Sequence, residues 1–324
     1  MTSRPAPRGD PRPAHDPEDE MTLAELSTET ANPSTADLDT ISTLEVLQAM
    51  NAEDRAVPTA VARALPAIAA AVDLVVARRA RGGRLVYVGA GTSGRIGLLD
   101  AVECPPTFGT DPGEVVGLIA GGTAAFGSAV EGAEDDPGRG ADDLRAIGLG
   151  EVDAVVGLAA SGRTPYVLGA LAYAREVGAA TVSLSCNAGA PISAAADVAI
   201  EVVTGPEVVT GSTRLKAGTA QKLVLNMLST ATMVAAGKTY GNLMVDVRPT
   251  NVKLLDRARR IVAAAAGVDD ETAAAALTAT DGQTKTAIVM LLLSCSVDEA
   301  TERLGAAGGR VRPALTTGGR TGPT

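Results

Sequence analysis

The sequence predicts an α/β fold, a parallel β-sheet covered by helices, followed by a smaller helical unit. Three observations carry this. Short apolar runs alternate with helical patterns through the middle of the chain, and they are apolar on both faces, as strands buried in a parallel sheet are. About 20 to 35 residues separate the first four runs, enough for a helical crossover each time. The 324 residues are 46% hydrophobic but only 2% aromatic, with no Trp. A core built from Ala, Val, Leu and Gly packs at short range and favours α/β layering over an aromatic-rich β-sandwich.

Taken in order, residues 1–20 are rich in proline and charge and read as a tail that stays out of the fold. Ser, Thr, Asn and Asp from residue 26 onward supply turns and caps before a helix near 43–50. An alanine-rich helix is expected over 57–81, stopped by Gly82-Gly83. The N-terminal helical segment thus occupies 21–82. The strands are placed at 84–88, 115–120, 154–159, 180–185 and 198–202, within a main domain of 76–240. A long amphipathic helix is expected over 216–238, packed on the sheet or at a subunit contact. After Tyr240-Gly241-Asn242 the runs RRIVAAAAG, DDETAAAALTAT and TAIVMLLLS predict a small helical subdomain over 251–315, with a frayed tail at 316–324.

Composition excludes several function classes. A net charge of −10 leaves no electrostatic footprint for nucleic acid. Neither an uninterrupted apolar stretch of about 18 to 20 residues nor a signal-peptide pattern is present, so no membrane partner and a cytoplasmic location are expected. Cys104, Cys186 and Cys295 are odd in number and far apart, which fits reduced packing residues rather than a disulfide framework or zinc site. The single histidine, His15, falls in the tail. Acid–base chemistry is left to carboxylates, Lys, Tyr or Cys.

The strongest local signal is RLVYVGAGTSGRIGLLDAVECPPTFG, residues 84–109. A strand leads into Gly89-Ala90-Gly91-Thr92-Ser93-Gly94 and a helix follows, which places backbone N–H groups at the strand's carboxyl end, ready for an anion. Gly89, Gly91 and Gly94 match the dinucleotide fingerprint. Hydroxyls at Thr92 and Ser93, and the lack of an acidic-ended second strand at the usual separation, argue against a nucleotide. No P-loop lysine follows either, so no cofactor is expected.

A second hydroxyl-rich junction, Ser161-Gly162-Arg163-Thr164, follows the third strand and suits a phosphate monoester. Two such loops at one sheet edge point to a sugar phosphate, although Ser161 and Thr164 could simply cap the next helix. A third segment, residues 203–222, offers Ser212, Thr213, Arg214 and Lys216 before a helix, as substrate ligands or as a hinge. Two glutamates stand out. Glu103 precedes a rigid Cys104-Pro105-Pro106 turn, and Glu131 lies beyond the second strand. By pattern alone both are ordinary solvated charges, and Glu134, Asp135 and Asp136 more so.

Together YVGAGTSGRIGLLDAVECPPTFG, GLIAGG, AVEGAEDD, AASGRTPYVLGAL, GPEVVTGSTRLKAGTAQKLVLNMLST and YGNLMVDVRPTN resemble the N-acetylmuramic acid 6-phosphate etherases, in matching order and spacing from about residue 26 to 315. The resemblance implies a sugar isomerase (SIS) domain with a five-stranded parallel sheet, a ubiquitin-associated-like helical region, and a homodimer with its active site near the subunit contact. It places Glu103 on the family's proton donor and Glu131 on its second acid–base glutamate. It also places Thr92, Ser93, Ser161, Gly162, Arg163 and Thr164 on the sugar phosphate, and it calls for no metal. The implied reaction converts N-acetylmuramic acid 6-phosphate and water to N-acetylglucosamine 6-phosphate and D-lactate. Elimination suits that chemistry, because an ether is a poor electrophile while the C2 proton of the open-chain aldehyde is acidic. Two rival readings are a non-catalytic sugar-phosphate sensor and an aldose–ketose isomerase. The two glutamate motifs favour the lyase.

Overall fold

The computed structural model describes residues 26–128, 130–247 and 252–316. The expected tail at 1–20 with His15, residues 317–324 of the C-terminal tail, and residues 248–251 of the YGNLMVDVRPTN motif lie outside them.

Five strands, β1 (Leu85–Gly89), β2 (Val115–Ile119), β3 (Ala154–Leu158), β4 (Ala180–Ser185) and β5 (Val198–Glu201), form one parallel sheet in the order β2-β1-β3-β4-β5. Each begins at or next to its expected residue. The order reverses between β1 and β3, because the chain first goes to one side of β1 and then to the other. In open α/β sheets such a switch point leaves a crevice at the strands' carboxyl ends.

Alternate strand residues feed two cores, as the period of two requires. Leu85, Tyr87, Val156, Leu158, Val182 and Leu184 face one side, where they meet α2 (Ala56–Arg79), α3 (Gly91–Phe108) and α8 (Lys216–Ala235). Val86, Val88 and Val155 face the other, against residues of α5 (Pro137–Ala146) and α6 (Pro165–Glu176). Two single-turn helices, α4 (Ala124–Gly127) and α7 (Pro191–Ala194), sit in the connections.

Helix α1 (Thr43–Asp54) starts at a reciprocal cap between Ser42 and Glu45 and is separated from α2 by Arg55 alone. The stretch Thr43–Arg79 is apolar and long enough to cross a bilayer, although scattered polar residues keep it from forming one uninterrupted apolar run in the sequence. Within the fold, α2 buries Val57, Val61, Ala64, Ile68, Ala71 and Val75 in the first core.

Helix α3 departs from expectation at its end. Cys104-Pro105-Pro106 is its last turn rather than a rigid turn beyond it, so Glu103 is a helical residue. The helix runs through both prolines to Phe108 and closes at Gly109, which at φ 62° takes the left-handed cap and donates its N–H to the Pro105 carbonyl.

After α8 a two-strand hairpin, β6 (Thr239–Tyr240) and β7 (Leu243–Met244), leads to α9 (Val252–Ala266), α10 (Asp270–Ala279), α11 (Thr284–Leu293), α12 (Val297–Ala306) and α13 (Val311–Thr316). These helices share a third core that includes Val245, Val262, Ile288 and Leu304. The sequence disclosed three of the five; α12, as long as α10 and α11, is too polar to show an apolar run, and α13 is too short.

Candidate active site

In the sheet register Gly89 lies beside both Ile119 and Leu158, and Leu158 beside Leu184. The strands therefore end level, and the segments after β2, β1 and β3 leave one edge side by side. With neighbouring strands about 4.8 Å apart, these three exits span about 10 Å, the scale of a hexose phosphate.

The β1–α3 connection is the tightest. Gly91, at φ 51°, opens α3 directly. A Cβ at Gly94 would stand 2.6 Å from the Gly89 carbonyl and 2.7 Å from Ile119 Cγ1, so only glycine lets the helix start this close to the sheet. Ser93 is buried, and its hydroxyl donates to Gln221 Oε1 of α8 at 2.9 Å, which spends that hydroxyl on packing and leaves its N–H in the helix's first turn. Thr92 is partly exposed. Its methyl and the Thr213 carbonyl both lie 3.5 Å from where a Gly218 Cβ would be, so the 212–213 turn abuts this connection.

The β3–α6 turn is closely braced. Gly162 has φ 76°, donates its N–H to the Ala159 carbonyl and accepts from Ile192, while the Arg163 N–H reaches Ser161 Oγ at 3.3 Å. Thr164 occupies the N-cap of α6, but its side chain makes no capping bond. The reading of Thr164 as a mere cap therefore fails on geometry, and its hydroxyl stays at the helix's positive end.

Glu131 lies in the segment between β2 and α5, which folds over this edge. The Tyr166 N–H, two residues into α6, donates to the Glu134 carbonyl at 3.0 Å. A cavity of about 200 Å³ forms beneath, lined by Gly91, Arg95, Ala125, Val130, Glu131 and Glu134 among others. Arg95 Nε donates to the Phe126 carbonyl at 3.2 Å. Larger cavities of about 600 and 570 Å³ lie against the C-terminal helices, away from the strand ends.

Other predicted residues are placed differently. Glu103 is exposed on α3, twelve residues beyond Gly91, which at 1.5 Å per residue puts it about 18 Å along the helix from the cavity. One chain does not bring Glu103 and Glu131 together. Nor does Lys216 point its charge at the edge. It is buried, with Nζ 2.6 Å from Glu53 Oε2 at the end of α1. The Lys216 and Ala217 N–H groups donate to Glu207, a fully buried carboxylate that caps α8. As a substrate ligand, Lys216 is thus replaced by a structural ion pair.

Sequence reasoning missed Glu134 and Arg95 at the cavity, and Glu53 and Glu207 as the partners of α8. Glu134 stood in a run of acids that reads as solvated, and Arg95 carries no signal until the fold turns it toward the β2 side. Among the described residues no group of three His, Cys, Asp or Glu is placed to hold a metal ion. Cys104 and Cys186 are buried free thiols, each pushed up to about 12 by burial, which fits inert packing residues.

Comparison with known proteins finds relatives of the chain. Residues 67–175 match the glucokinase regulatory protein N-terminal SIS domain, and residues 145–231 match the SIS domain. The chain is 63% identical to the N-acetylmuramic acid 6-phosphate etherase of Mycolicibacterium smegmatis, over 92% of this chain and 100% of that protein. It is 60% identical to the enzyme of the same name from Pectobacterium atrosepticum, over 92% and 98%. Among solved structures, a phosphoheptose isomerase from Francisella tularensis aligns with a TM-score of 0.47 and 18% identity, covering 60% of this chain and 100% of that one.

Proposed function

The chain belongs to the N-acetylmuramic acid 6-phosphate etherase family, and from that premise we propose that it releases D-lactate from N-acetylmuramic acid 6-phosphate by elimination followed by addition of water. The observation that best supports a lyase site is the carboxylate turn, Glu131 to Glu134, held over the anion-binding loops by the Tyr166 N–H. Thr92 and the Ser161 to Thr164 turn bind the phosphate of the open-chain sugar through hydroxyls and backbone N–H groups at the helix N-termini, to which Ser93 adds its N–H alone. One carboxylate of the turn removes the C2 proton, which the neighbouring aldehyde acidifies. The C3–O bond breaks as Glu103 protonates the departing lactyl oxygen. Water, deprotonated by the same Glu103, then adds at C3 of the unsaturated aldehyde, and C2 is reprotonated to give N-acetylglucosamine 6-phosphate.

The position of Glu103 gives this reading a second part. Within one chain Glu103 is about 18 Å along α3 from the cavity. It shares an exposed face with Leu99 and Val102, which are 47% and 55% exposed. That face adjoins the apolar side of α8 carrying Leu223, Met227, Ala231 and Val234, because Asn226 of α8 donates to Asp100 of α3 at 2.8 Å. A second copy covers this face in a homodimer, and Glu103 enters the partner's cavity. The enzyme works in the cytoplasm, where its phosphorylated sugar is formed and retained.

Release of D-lactate, followed in EDTA, tests both parts. Glu103→Gln and the double variant Glu131→Gln/Glu134→Gln should each lower kcat by about a hundredfold or more with little change in KM. Mixing the two variants under subunit exchange should restore about a quarter of wild-type activity, since half the dimers then carry one intact site. Absence of restoration would place Glu103 in its own chain's site. Loss of C2 proton exchange in Glu131→Gln or Glu134→Gln assigns the base; its loss in Glu103→Gln instead would make Glu103 the base and overturn this division of roles.

A further inference from the structure

We propose that Arg95 is the specificity residue of this site and holds the carboxylate of the lactyl group; the inference rests on the etherase reading above. Arg95 starts one turn into α3, but its guanidinium is turned toward β2, away from the hydroxyl-rich β3–α6 turn. Its Nε donates to the Phe126 carbonyl at 3.2 Å, which fixes the plane of the group. Among the described residues Nη1 and Nη2 find no hydrogen-bond or ion-pair partner, and together they present the end-on pair of donors that matches a carboxylate.

The rest of the cavity agrees with a lactyl group. Ala125 and Val130 offer apolar surface for its methyl beside the cation, and Glu131 and Glu134 complete the lining. With two carboxylates and one guanidinium, the cavity has a formal charge of −1. A dianionic phosphate is disfavoured there, whereas a monoanionic carboxylate bound to a single arginine is neutralised locally. The separation fits as well. The β3 exit, the farther of the two that hold the phosphate, and the β2 exit are two strand spacings apart, about 10 Å, comparable with the extended span from the phosphorus on C6 to the carboxyl carbon of the lactyl group on C3 of an open-chain hexose.

Such a contact also orients the reaction. The ether oxygen is joined to the same carbon as the carboxylate, so fixing the carboxylate places the leaving oxygen beside the carboxylate turn. The product sugar, which lacks the lactyl group, makes no contact with Arg95. An arginine in this position therefore distinguishes substrate from product.

Dissociation constants for N-acetylmuramic acid 6-phosphate and N-acetylglucosamine 6-phosphate, both measured in the Glu103→Gln background to prevent turnover, test this. Arg95→Gln should weaken the first by about ten- to a hundredfold and change the second by less than about twofold, with Arg95→Lys intermediate. Retained affinity for the product sugar shows that the variant is folded. Equal weakening of both ligands would make Arg95 a phosphate ligand and overturn the proposal, as would no change in either. A wild-type protein that binds both sugars but releases no D-lactate would instead overturn the etherase reading.

Discussion

Two segments at the same sheet edge are built in opposite ways. The β3–α6 turn is short and anchored throughout: Gly162 bonds back to Ala159 and receives Ile192, Cys186 donates to the Ala160 carbonyl, and Asn187 Nδ2 reaches the same carbonyl at 3.1 Å. The segment from 120 to 136 is longer and outward-facing. It exposes Phe126 and Val130 and is tied to the other loops chiefly by the Tyr166–Glu134 and Arg95–Phe126 bonds. The turn proposed to cradle the phosphate is preformed, whereas the proposed acid–base carboxylates hang on an arm with few attachments. In the mechanism proposed above, binding energy from the remote phosphate is spent on settling that arm over the reacting carbons.

Breaking the rigid side should have the largest effect. A Cβ at Gly162 would lie 2.2 Å from the Ala190 Cβ, at a φ that L-residues rarely adopt. Gly162→Ala should cost about 3 kcal/mol of stability, seen as a lower Tm, and abolish measurable sugar-phosphate binding in whatever fraction folds. Gly132→Ala, at a comparable φ on the arm but with open space around it, should cost no more than about 1 to 2 kcal/mol. Equal losses would mean that the two segments do not differ as described.

The same contrast explains what could be read from the sequence. The β3–α6 turn was legible because its residues act locally: a strand end, a glycine, two hydroxyls and a helix start lie next to one another, and that pattern alone points to an anion. The arm was not. Glu134 gains meaning only from a hydrogen bond to Tyr166, thirty-two residues on, and Arg95 only from a carbonyl in another loop. Lys216 failed for the converse reason. Its sequence context is polar and loop-like, while Glu53, its partner, comes from the far end of the chain. Strand positions were recovered because runs apolar on both faces have few other uses. Helix ends containing proline, as at Cys104-Pro105-Pro106, resist reading because proline beyond the first turn usually ends or kinks a helix, whereas here α3 runs through both prolines to Phe108.

An intermediate effect is expected at Tyr166, which joins the two segments. Its N–H holds Glu134, and its hydroxyl, in a buried ring, donates to Asp143 Oδ2 at 2.6 Å. Burial, reinforced by Asp143, pushes the phenol well above its usual range, so it remains a donor at any working pH. Tyr166→Phe keeps the backbone bond and removes only the hydroxyl. It should cost about 1.5 kcal/mol by denaturant titration, because the bond is to a charged acceptor. Affinity for the sugar phosphate should be unchanged, since the Ser161 to Thr164 turn is untouched. A parallel loss of affinity would show that cradle and arm are one cooperative unit.

The smallest effect on stability should be at Phe126, and there the arm reports on itself. Phe126 is 51% exposed, and the other phenylalanine, Phe108, is buried at the end of α3. Removing an exposed ring forfeits little burial, so Phe126→Ala should change stability by no more than about 0.5 kcal/mol. The same exposure makes it a site for chymotrypsin in the folded protein, because cleavage needs only local opening of a segment with few anchors. Wild-type protein should be cut first after Phe126, Phe126→Ala should resist at that site, and sugar phosphate should slow the cut if binding draws the arm onto the cradle. Cleavage at an unchanged rate in saturating sugar phosphate would mean that the arm is set before substrate arrives, and that phosphate binding does nothing to position the carboxylates.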